Sequence, residues 1–273
     1  MKSFRILLAA LAVLGLATTA QAEDKFITVA STTSTQNSGL FKYLLPKFTK
    51  KSGIDVHVVA VGTGAAIRLA KKGDADVLLV HHKPSELAFV AAGYGVKRYE
   101  LMYNDFVLIG PKNDPAGAGK GKSIQEAFNR VRDAKQVFVS RADDSGTDKR
   151  ERGIWKLTGQ SPDGKTDSWY REIGAGMGAA LNMAAAMQAY TLSDRGTWLS
   201  FKNRRDETIV YQGDPMLRNV YGVTLVSPKK FPHVKVKEGQ EFIDWLLSAE
   251  GQKDIAAYQI NGKVLFHPLA MKQ

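Results

Sequence analysis

The 273-residue sequence predicts an α/β protein made of two lobes. Apolar strand segments alternate with helical segments, a rhythm that is typical of strands covered by helices. The run at residues 77–80, VLLV, has no polar alternation, as expected of a strand that is buried on both faces. Two similar strands, at residues 103–111 and 221–228, each begin with tyrosine, pass through an apolar stretch and end at proline. Such a pair suits a chain that leaves one lobe and later returns to it.

The first 22 residues are predicted to be a cleavable secretory signal peptide and not part of the fold. Two basic residues precede an apolar run at residues 6–16, and Ala20 and Ala22 supply the small side chains that cleavage requires. The run is too short to span a bilayer as a helix. The mature protein is therefore expected outside the cytoplasm. Because the sequence contains no cysteine, no disulfide and no thiolate metal ligand is available.

The predicted elements follow one another along the chain as strand, helix, strand and helix. A strand at residues 26–30 leads through polar residues into a helix at 40–48, where apolar side chains recur at three- and four-residue spacing. A second strand at 54–61 is followed by a short helix at 65–70, and a helix at 242–247 is predicted to return to the first lobe. This order predicts βαβ units and a sheet that is parallel in part.

The two crossing strands set the predicted domain boundaries. Lobe 1 is expected to comprise residues 23–106 and 224–273, and lobe 2 residues 107–223. A stretch rich in glycine and lysine at residues 114–123 is predicted to be a loop just after the first crossing.

The formal net charge of +11 restricts the classes of partner. A basic balance is compatible with nucleic acid, an anionic surface or an anionic ligand. The basic residues are scattered in pairs, without a long run and without interleaved aromatic residues, so nucleic-acid binding is not expected. A general positive field would still raise the rate at which a small anion meets the protein.

Four turns rich in hydroxyl groups and glycine lie between a predicted strand and a helix. They are residues 31–39, 62–64 and 140–147, with a weaker one at 174–178. The start of a helix exposes unpaired N–H groups at a partly positive end. Glycine permits close approach of the backbone, and serine and threonine add donors. Because such turns gather at the carboxyl ends of strands, together with Arg141 they predict a site that surrounds a small anion with donors.

Other chemistries have weaker support in the sequence. A hydrolase with a nucleophile near Ser145 would need a base at readable spacing, and no Gly-x-Ser-x-Gly motif is present. Gly121 to Ser123 resembles the end of a phosphate-binding loop, but the glycine required at position 116 is alanine. His81 and His82 directly follow the strand at 77–80, and they are interpreted as a structural strand end rather than a metal site.

The turns and their neighbouring strands resemble the periplasmic tungstate-binding proteins of ABC transporters. The segments that carry the resemblance occur in order and cover nearly the whole mature chain. They are residues 32–40, 61–64, 76–81, 103–107, 140–147 and 189–197.

This resemblance implies a type II periplasmic binding fold, with two α/β lobes joined by two hinge strands and the ligand in the interlobe cleft. It implies a monomeric, non-catalytic binding protein of the periplasm, which uses no cofactor and delivers tungstate, and molybdate as well, to a membrane permease. The implied ligand-binding positions are Thr32, Thr33, Ser34, Thr63, Arg141, Ser145, Gly146 and Thr147.

A phosphate-binding protein of the same fold remains an alternative. Tungstate and molybdate are fully deprotonated near neutral pH and suit a site built of donors alone, whereas phosphate keeps a proton and gains from a carboxylate acceptor. Asp143 or Asp144 could be that acceptor, although a role in bracing the helix that contains Thr147 is preferred.

Overall fold

The computed structural model describes residues 25–270, and the predicted signal peptide at residues 1–22 lies outside the described residues. The strands are β1 (Phe26–Thr32), β2 (Asp55–Val61), β3 (Val77–Val80), β4 (Gly95–Pro111), β5 (Phe138–Ser140), β6 (Tyr170–Glu172), β7 (Thr191–Asp194), β8 (Glu207–Tyr211), β9 (Arg218–Val226), β10 (Gln259–Ile260), β11 (Lys263–Val264) and β12 (His267–Pro268). The α-helices are α1 (Thr33–Asn37), α2 (Leu40–Ser52), α3 (Thr63–Lys72), α4 (Lys83–Ala91), α5 (Ile124–Asp133), α6 (Gly146–Leu157), α7 (Met177–Met187), α8 (Arg195–Ser200), α9 (Val236–Leu247) and α10 (Ala249–Ala257). Two short 3₁₀ helices occupy Ala118–Lys120 and Pro215–Leu217.

The main sheet has the strand order β12-β4-β9-β3-β1-β2. Strand β1 pairs in parallel with β2 and with β3, as the βαβ rhythm predicts. Strand β3 is fully buried, and its other neighbour, β9, runs antiparallel to it. The sheet is therefore mixed, because β9 arrives from the second crossing and not from a helical crossover.

The two crossing strands are neighbours in this sheet. Strand β4 is 17 residues long, and its first part pairs antiparallel with β9. Its last part, from Phe106 to Pro111, pairs with β7 and β8 instead. The single strand β4 therefore links the main sheet to the strands of the second lobe, and β9 returns the chain beside it.

Within the described part of the chain, four hydrophobic cores fall into two groups. Two cores are formed by side chains within residues 27–102 and 221–266, on the two faces of the main sheet. The other two are formed within residues 106–217. We refer to these groups as the first and second lobes. Tyr221 and Val223 pack in the first lobe; the domain boundaries given above stay a prediction.

Aromatic contacts fill the centres of both lobes. In the first lobe Phe48 of α2 packs edge-on against Phe242 of α9, with ring centroids 5.0 Å apart. In the second lobe Phe128, Phe138 and Trp155 pack together, with centroids 4.5 to 5.3 Å apart. Such aromatic pairs contribute about 0.5–1.5 kcal/mol each beyond the burial of their surface. The helices are thereby held on the sheets, which fixes where the strand-to-helix turns lie.

Within residues 25–270, six strands end in short turns that lead into helices: β1 into α1, β2 into α3, β3 into α4, β5 into α6, β6 into α7 and β7 into α8. In an open α/β sheet the carboxyl ends of the strands form the edge at which ligands bind. In residues 25–270 no helix is both long enough and apolar enough to cross a membrane.

Candidate anion-binding site

The first turn is held by hydroxyl groups at the end of β1. Thr32 caps α1, because its Oγ1 accepts a hydrogen bond of 3.3 Å from the backbone N–H of Thr35. The same Oγ1 lies 3.0 Å from Oγ of Ser34 and 2.8 Å from Oγ1 of Thr35. Thr32, Ser34 and Thr35 are all buried. Thr33 is half-buried at the first helical position, and within residues 25–270 it makes no side-chain hydrogen bond to the other turns.

The second turn presents a buried hydroxyl that has no partner in the described part of the chain. Thr63 is 0% exposed at the start of α3, and its Oγ1 makes no hydrogen bond there. Leaving a buried hydroxyl unpaired costs about 1–3 kcal/mol, so such an atom needs an explanation. A ligand acceptor at this position would supply one.

The third turn carries the buried cation that the sequence predicts. Arg141 follows β5 and is 3% exposed. Its Nη2 donates to Oδ2 of Asp143 at 2.5 Å, and its Nη1 to Oγ1 of Thr147 at 3.4 Å. Its Nε is buried and, in residues 25–270, has no hydrogen-bond partner. The guanidinium group is thus held in place while its Nε–H stays available to a ligand.

Asp143 and Asp144 brace this turn, as the preferred interpretation of the sequence holds. Oδ1 of Asp143 accepts from the backbone N–H of Ser145, so both of its carboxylate oxygens have partners. Asp144 points outward and pairs with Lys149 and Arg68. Asp144 and Ala142 both have left-handed backbones, with φ of 58° and 46°. For a residue that carries a Cβ this costs of order 1–3 kcal/mol, and such strain is common where a turn shapes a binding site.

Helix α6 begins at this turn. Ser145 caps the helix, because its Oγ accepts from the backbone N–H of Asp148 at 3.2 Å. Ser145, Gly146 and Thr147 are all buried. Because the Oγ of Ser145 is used as a cap acceptor, its remaining hydrogen and the N–H groups of the first turn of α6 are the donors it offers to a ligand.

Contacts between turns bring the second and third turns together. The backbone N–H of Gly64 donates to the carbonyl of Asp144 at 3.3 Å. The weaker fourth turn reaches the same place, since the N–H of Ala175 donates to the carbonyl of Arg141 at 3.1 Å. The first turn reaches the third through His81, whose Nε2 lies 3.1 Å from Oγ of Ser34 and whose ring packs directly against Gly146.

His81 contacts two of the predicted site residues, Ser34 and Gly146, and the sequence interpretation did not include it in the site. It is 5% exposed, and burial lowers its pKa to about 4, with the charge of Arg141 acting in the same direction. Its Nδ1 lies 3.0 Å from Oδ1 of Asn219 on β9. The interpretation of His81 as a structural strand end is therefore incomplete. Its place at the carboxyl end of β3 was the signal that could have identified it.

Asp194 is a second buried group that the sequence did not single out. It ends β7 and caps α8, accepting from both the N–H and the Oγ1 of Thr197 at 2.8 and 2.7 Å. Burial raises its pKa, whereas its bonds to Thr197 and the charge of Arg141 oppose that rise. Within residues 25–270 no group of three or more histidine, aspartate or glutamate side chains is placed to hold a metal ion.

Comparison with known proteins identifies the fold and the family. A family model described as a PBP superfamily domain matches residues 17–250. The tungstate-binding protein TupA of Peptoclostridium acidaminophilum is 46% identical over 250 residues, which cover 90% of this chain and 86% of that relative. The structure of the tungstate-binding protein TupA of Desulfovibrio alaskensis G20 is 41% identical with a TM-score of 0.79, over 90% of this chain and 99% of that one. That of the tungstate ABC transporter of Geobacter sulfurreducens is 48% identical with a TM-score of 0.78, over 85% and 98%.

The two lobes, the crossing strands and the donor-lined turns define a periplasmic binding protein of type II, and the predicted fold class is confirmed. Within that class, the chain belongs to the family of the tungstate-binding proteins TupA, which confirms the resemblance seen in the sequence.

Proposed function

We propose that the protein captures tungstate, and molybdate as well, in the cleft between its lobes and delivers it to the permease of an ABC importer. Three supports converge: membership of the TupA family, the positive net charge and the donor-lined turns. The loaded protein acts as a periplasmic monomer, exported by the signal peptide at residues 1–22, and needs no cofactor. The lobes that close on the anion are the first and second lobes defined above by their hydrophobic cores, within residues 27–102 with 221–266 and within residues 106–217.

The observation that carries the proposal is a pair of buried donors without partners in the described residues. Oγ1 of Thr63 and Nε of Arg141 belong to two turns that are hydrogen-bonded to each other through Gly64 and Asp144. An oxyanion that accepts from both would satisfy both. We assign the contacts to the first turn at Thr32, Thr33 and Ser34, to Thr63, and to the third turn at Arg141, Ser145, Gly146 and Thr147.

The same geometry favours a fully deprotonated anion over phosphate. A phosphate that keeps a proton gains from a carboxylate acceptor, but the carboxylate of Asp143 is held by Arg141 and by the N–H of Ser145 within its own turn. Asp144 faces Lys149 and Arg68 instead. The site thus offers donors and lacks a free carboxylate among the residues that we assign to it.

Ser34, His81 and Asn219 have the connectivity of a nucleophile, a base and an orienting group. This is the observation that would favour a hydrolase. A general base is most effective when its pKa lies near the working pH, whereas burial lowers the pKa of His81 to about 4. We therefore assign this triplet a binding role and propose that the protein is not an enzyme.

Isothermal titration calorimetry of the anion-stripped protein tests the function. Tungstate is expected to bind at 1:1 with a sub-micromolar Kd, more than about 8 kcal/mol of binding free energy, and molybdate to bind as well. Sulfate and phosphate are expected to give no heat. Heat from phosphate alone would reassign the protein to phosphate uptake, and heat from none of the four anions would reject the proposal.

A further inference from the structure

A chain of buried hydrogen bonds lies behind Ser34. Its Oγ is 3.1 Å from Nε2 of His81, and Nδ1 of His81 is 3.0 Å from Oδ1 of Asn219. Beyond this, Nδ2 of Asn219 donates to Oδ1 of Asn104 at 2.7 Å, and Nδ2 of Asn104 donates to the hydroxyl of Tyr221 at 3.5 Å. All five side chains are at most 5% exposed. The chain connects the first turn to the two hinge strands β4 and β9.

The amide groups give this chain a direction. Oδ1 of Asn219 can only accept, so Nδ1 of His81 must carry the hydrogen of that bond. A neutral imidazole then has no hydrogen on Nε2, which can only accept. Ser34 therefore donates its hydroxyl hydrogen to His81 and not to the cleft.

The surroundings of His81 keep the ring neutral when no anion is bound. Burial is the main reason, because it lowers the pKa of His81, and the positive charges of Arg141 and Arg150 act in the same direction. The aromatic rings of Tyr221 and Phe106 lie 4.8 and 6.4 Å from the imidazole, centroid to centroid. Gly146 covers the ring from α6. Within residues 25–270 no carboxylate is hydrogen-bonded to either ring nitrogen.

A bound dianion changes what this arrangement requires. Because the hydroxyl hydrogen of Ser34 points at His81, its Oγ presents only lone pairs to an anion that itself offers only lone pairs. If Nε2 is protonated, the imidazolium donates to Oγ of Ser34, and the hydroxyl hydrogen is released to point at the anion. The two negative charges of the anion stabilise the imidazolium, as any nearby opposite charge does.

We propose that tungstate capture is coupled to the uptake of one proton from solvent at Nε2 of His81, which makes His81 a positioning residue that redirects the hydroxyl hydrogen of Ser34 from the imidazole to the anion. The inference rests on the proposed function, since it concerns the same cleft. The competing arrangement reverses the chain by rotating the amides of Asn219 and Asn104 and moving the ring hydrogen from Nδ1 to Nε2. That reversal would take up no proton.

Calorimetry in paired buffers of different ionisation enthalpy separates the two arrangements. At a fixed pH near 6, the difference between the observed binding heats gives the number of protons taken up with each tungstate. When the experiment is repeated from about pH 5.5 to 7.5, we expect an uptake of about one proton at the lowest pH, which falls toward zero as the pH rises. The tungstate affinity should then weaken by up to about tenfold per pH unit. Tungstate is kept at micromolar concentration so that it remains monomeric.

Two variants assign the proton to its atom. In His81→Gln a neutral amide replaces the imidazole, so the linked proton should disappear and the affinity should no longer depend on pH. His82→Gln is the matched control, because His82 is adjacent, also has a pKa lowered to about 4 by burial, and bonds to Ser85 rather than to the first turn. It should keep the linked proton.

The outcomes are distinct from those that test the function. Tungstate binding by the wild type with no proton taken up from about pH 5.5 to 7.5 would overturn the coupling and leave the function standing. Full uptake in His81→Gln would overturn the role of His81. If that variant does not fold, ¹⁵N shifts of the wild-type imidazole decide: tungstate should move both nitrogens of His81 to imidazolium values, and an unchanged neutral ring overturns the proposal. Absence of tungstate binding by the wild type would reject the function and the coupling together.

Discussion

Replacement of Gly146 by alanine tests directly whether the lobes close on His81. A Cβ at this position would lie 2.4 Å from Cε1 and 2.7 Å from Nδ1 of His81, whereas ordinary van der Waals contact begins at 3.4 Å. Gly146 starts α6 in the second lobe, and His81 directly follows β3 in the first. The two surfaces must therefore separate by about 1 Å, or the imidazole must turn away.

The cost follows from the hydrogen bonds that the imidazole would lose. Turning it away breaks the bonds to Ser34 and Asn219, each worth about 0.5–1.5 kcal/mol. A total of about 1–3 kcal/mol corresponds to a tungstate affinity that is weaker by roughly 5- to 150-fold. Because the open protein avoids the clash, we expect little change in the melting temperature without ligand.

Gly153→Ala is the matched control for this experiment. Gly153 lies in the same helix, and a Cβ there would have no neighbour within 4 Å. We expect unchanged tungstate affinity by calorimetry and a free energy of unfolding that is higher by about 0.5–1 kcal/mol. The reasoning would be refuted if Gly146→Ala bound tungstate as tightly as Gly153→Ala does.

Three further substitutions probe other parts of the account. Arg141→Ala removes a buried charge and the ion-pair partner of Asp143, so the tungstate affinity measured by calorimetry should fall by about 3–4 kcal/mol, or 10²- to 10³-fold. Arg141→Lys should lose less because the charge remains. Equal affinities for the wild type and Arg141→Ala would disprove the site. Thr63→Val removes a hydroxyl that is unpaired within the described residues, so urea unfolding without ligand should show equal or slightly higher stability. The tungstate affinity should fall about tenfold, and an unchanged affinity would remove Thr63 from the site. Burial raises the pKa of Glu151 from 4.5 to about 7, so the folded state binds the extra proton and the free energy of unfolding should fall as the pH rises from about 4.5 to 7. Glu151→Gln should abolish this pH-dependent change in the free energy of unfolding, which amounts to up to about 3 kcal/mol between pH 4.5 and 7, in urea unfolding measured at several pH values. An unchanged pH dependence would contradict the assignment.

The parts of the fold that local sequence determines were predictable. Strand β3 has the predicted bounds, and helices α2, α3 and α9 contain the predicted helical segments. The donor-rich turns were also predictable, because their hydroxyl groups, glycines and one arginine are contiguous in the sequence. The loop at residues 114–123 departs from expectation only in its single turn of 3₁₀ helix, at Ala118–Lys120.

The polar chain behind Ser34 was not predictable from local sequence. His81 and Asn219 are 138 positions apart, and Asn104 and Asn219 are 115 apart. They meet because β9 lies between β3 and β4, and that order depends on the pairing of the whole sheet. Local patterns indicate which residues can donate a hydrogen bond to an anion. The sheet topology decides which of those donors are already hydrogen-bonded to other parts of the protein.

On the proposed function, one oxyanion sits where the turns of the two lobes meet. An anomalous difference map from crystals of the tungstate-loaded protein, collected at the tungsten L-III edge, locates that anion directly. We expect one dominant peak for the tungsten atom, with tungstate oxygens about 3 Å from both Oγ1 of Thr63 and Nε of Arg141. A dominant peak elsewhere, or one that leaves both of those atoms without an acceptor, would contradict it.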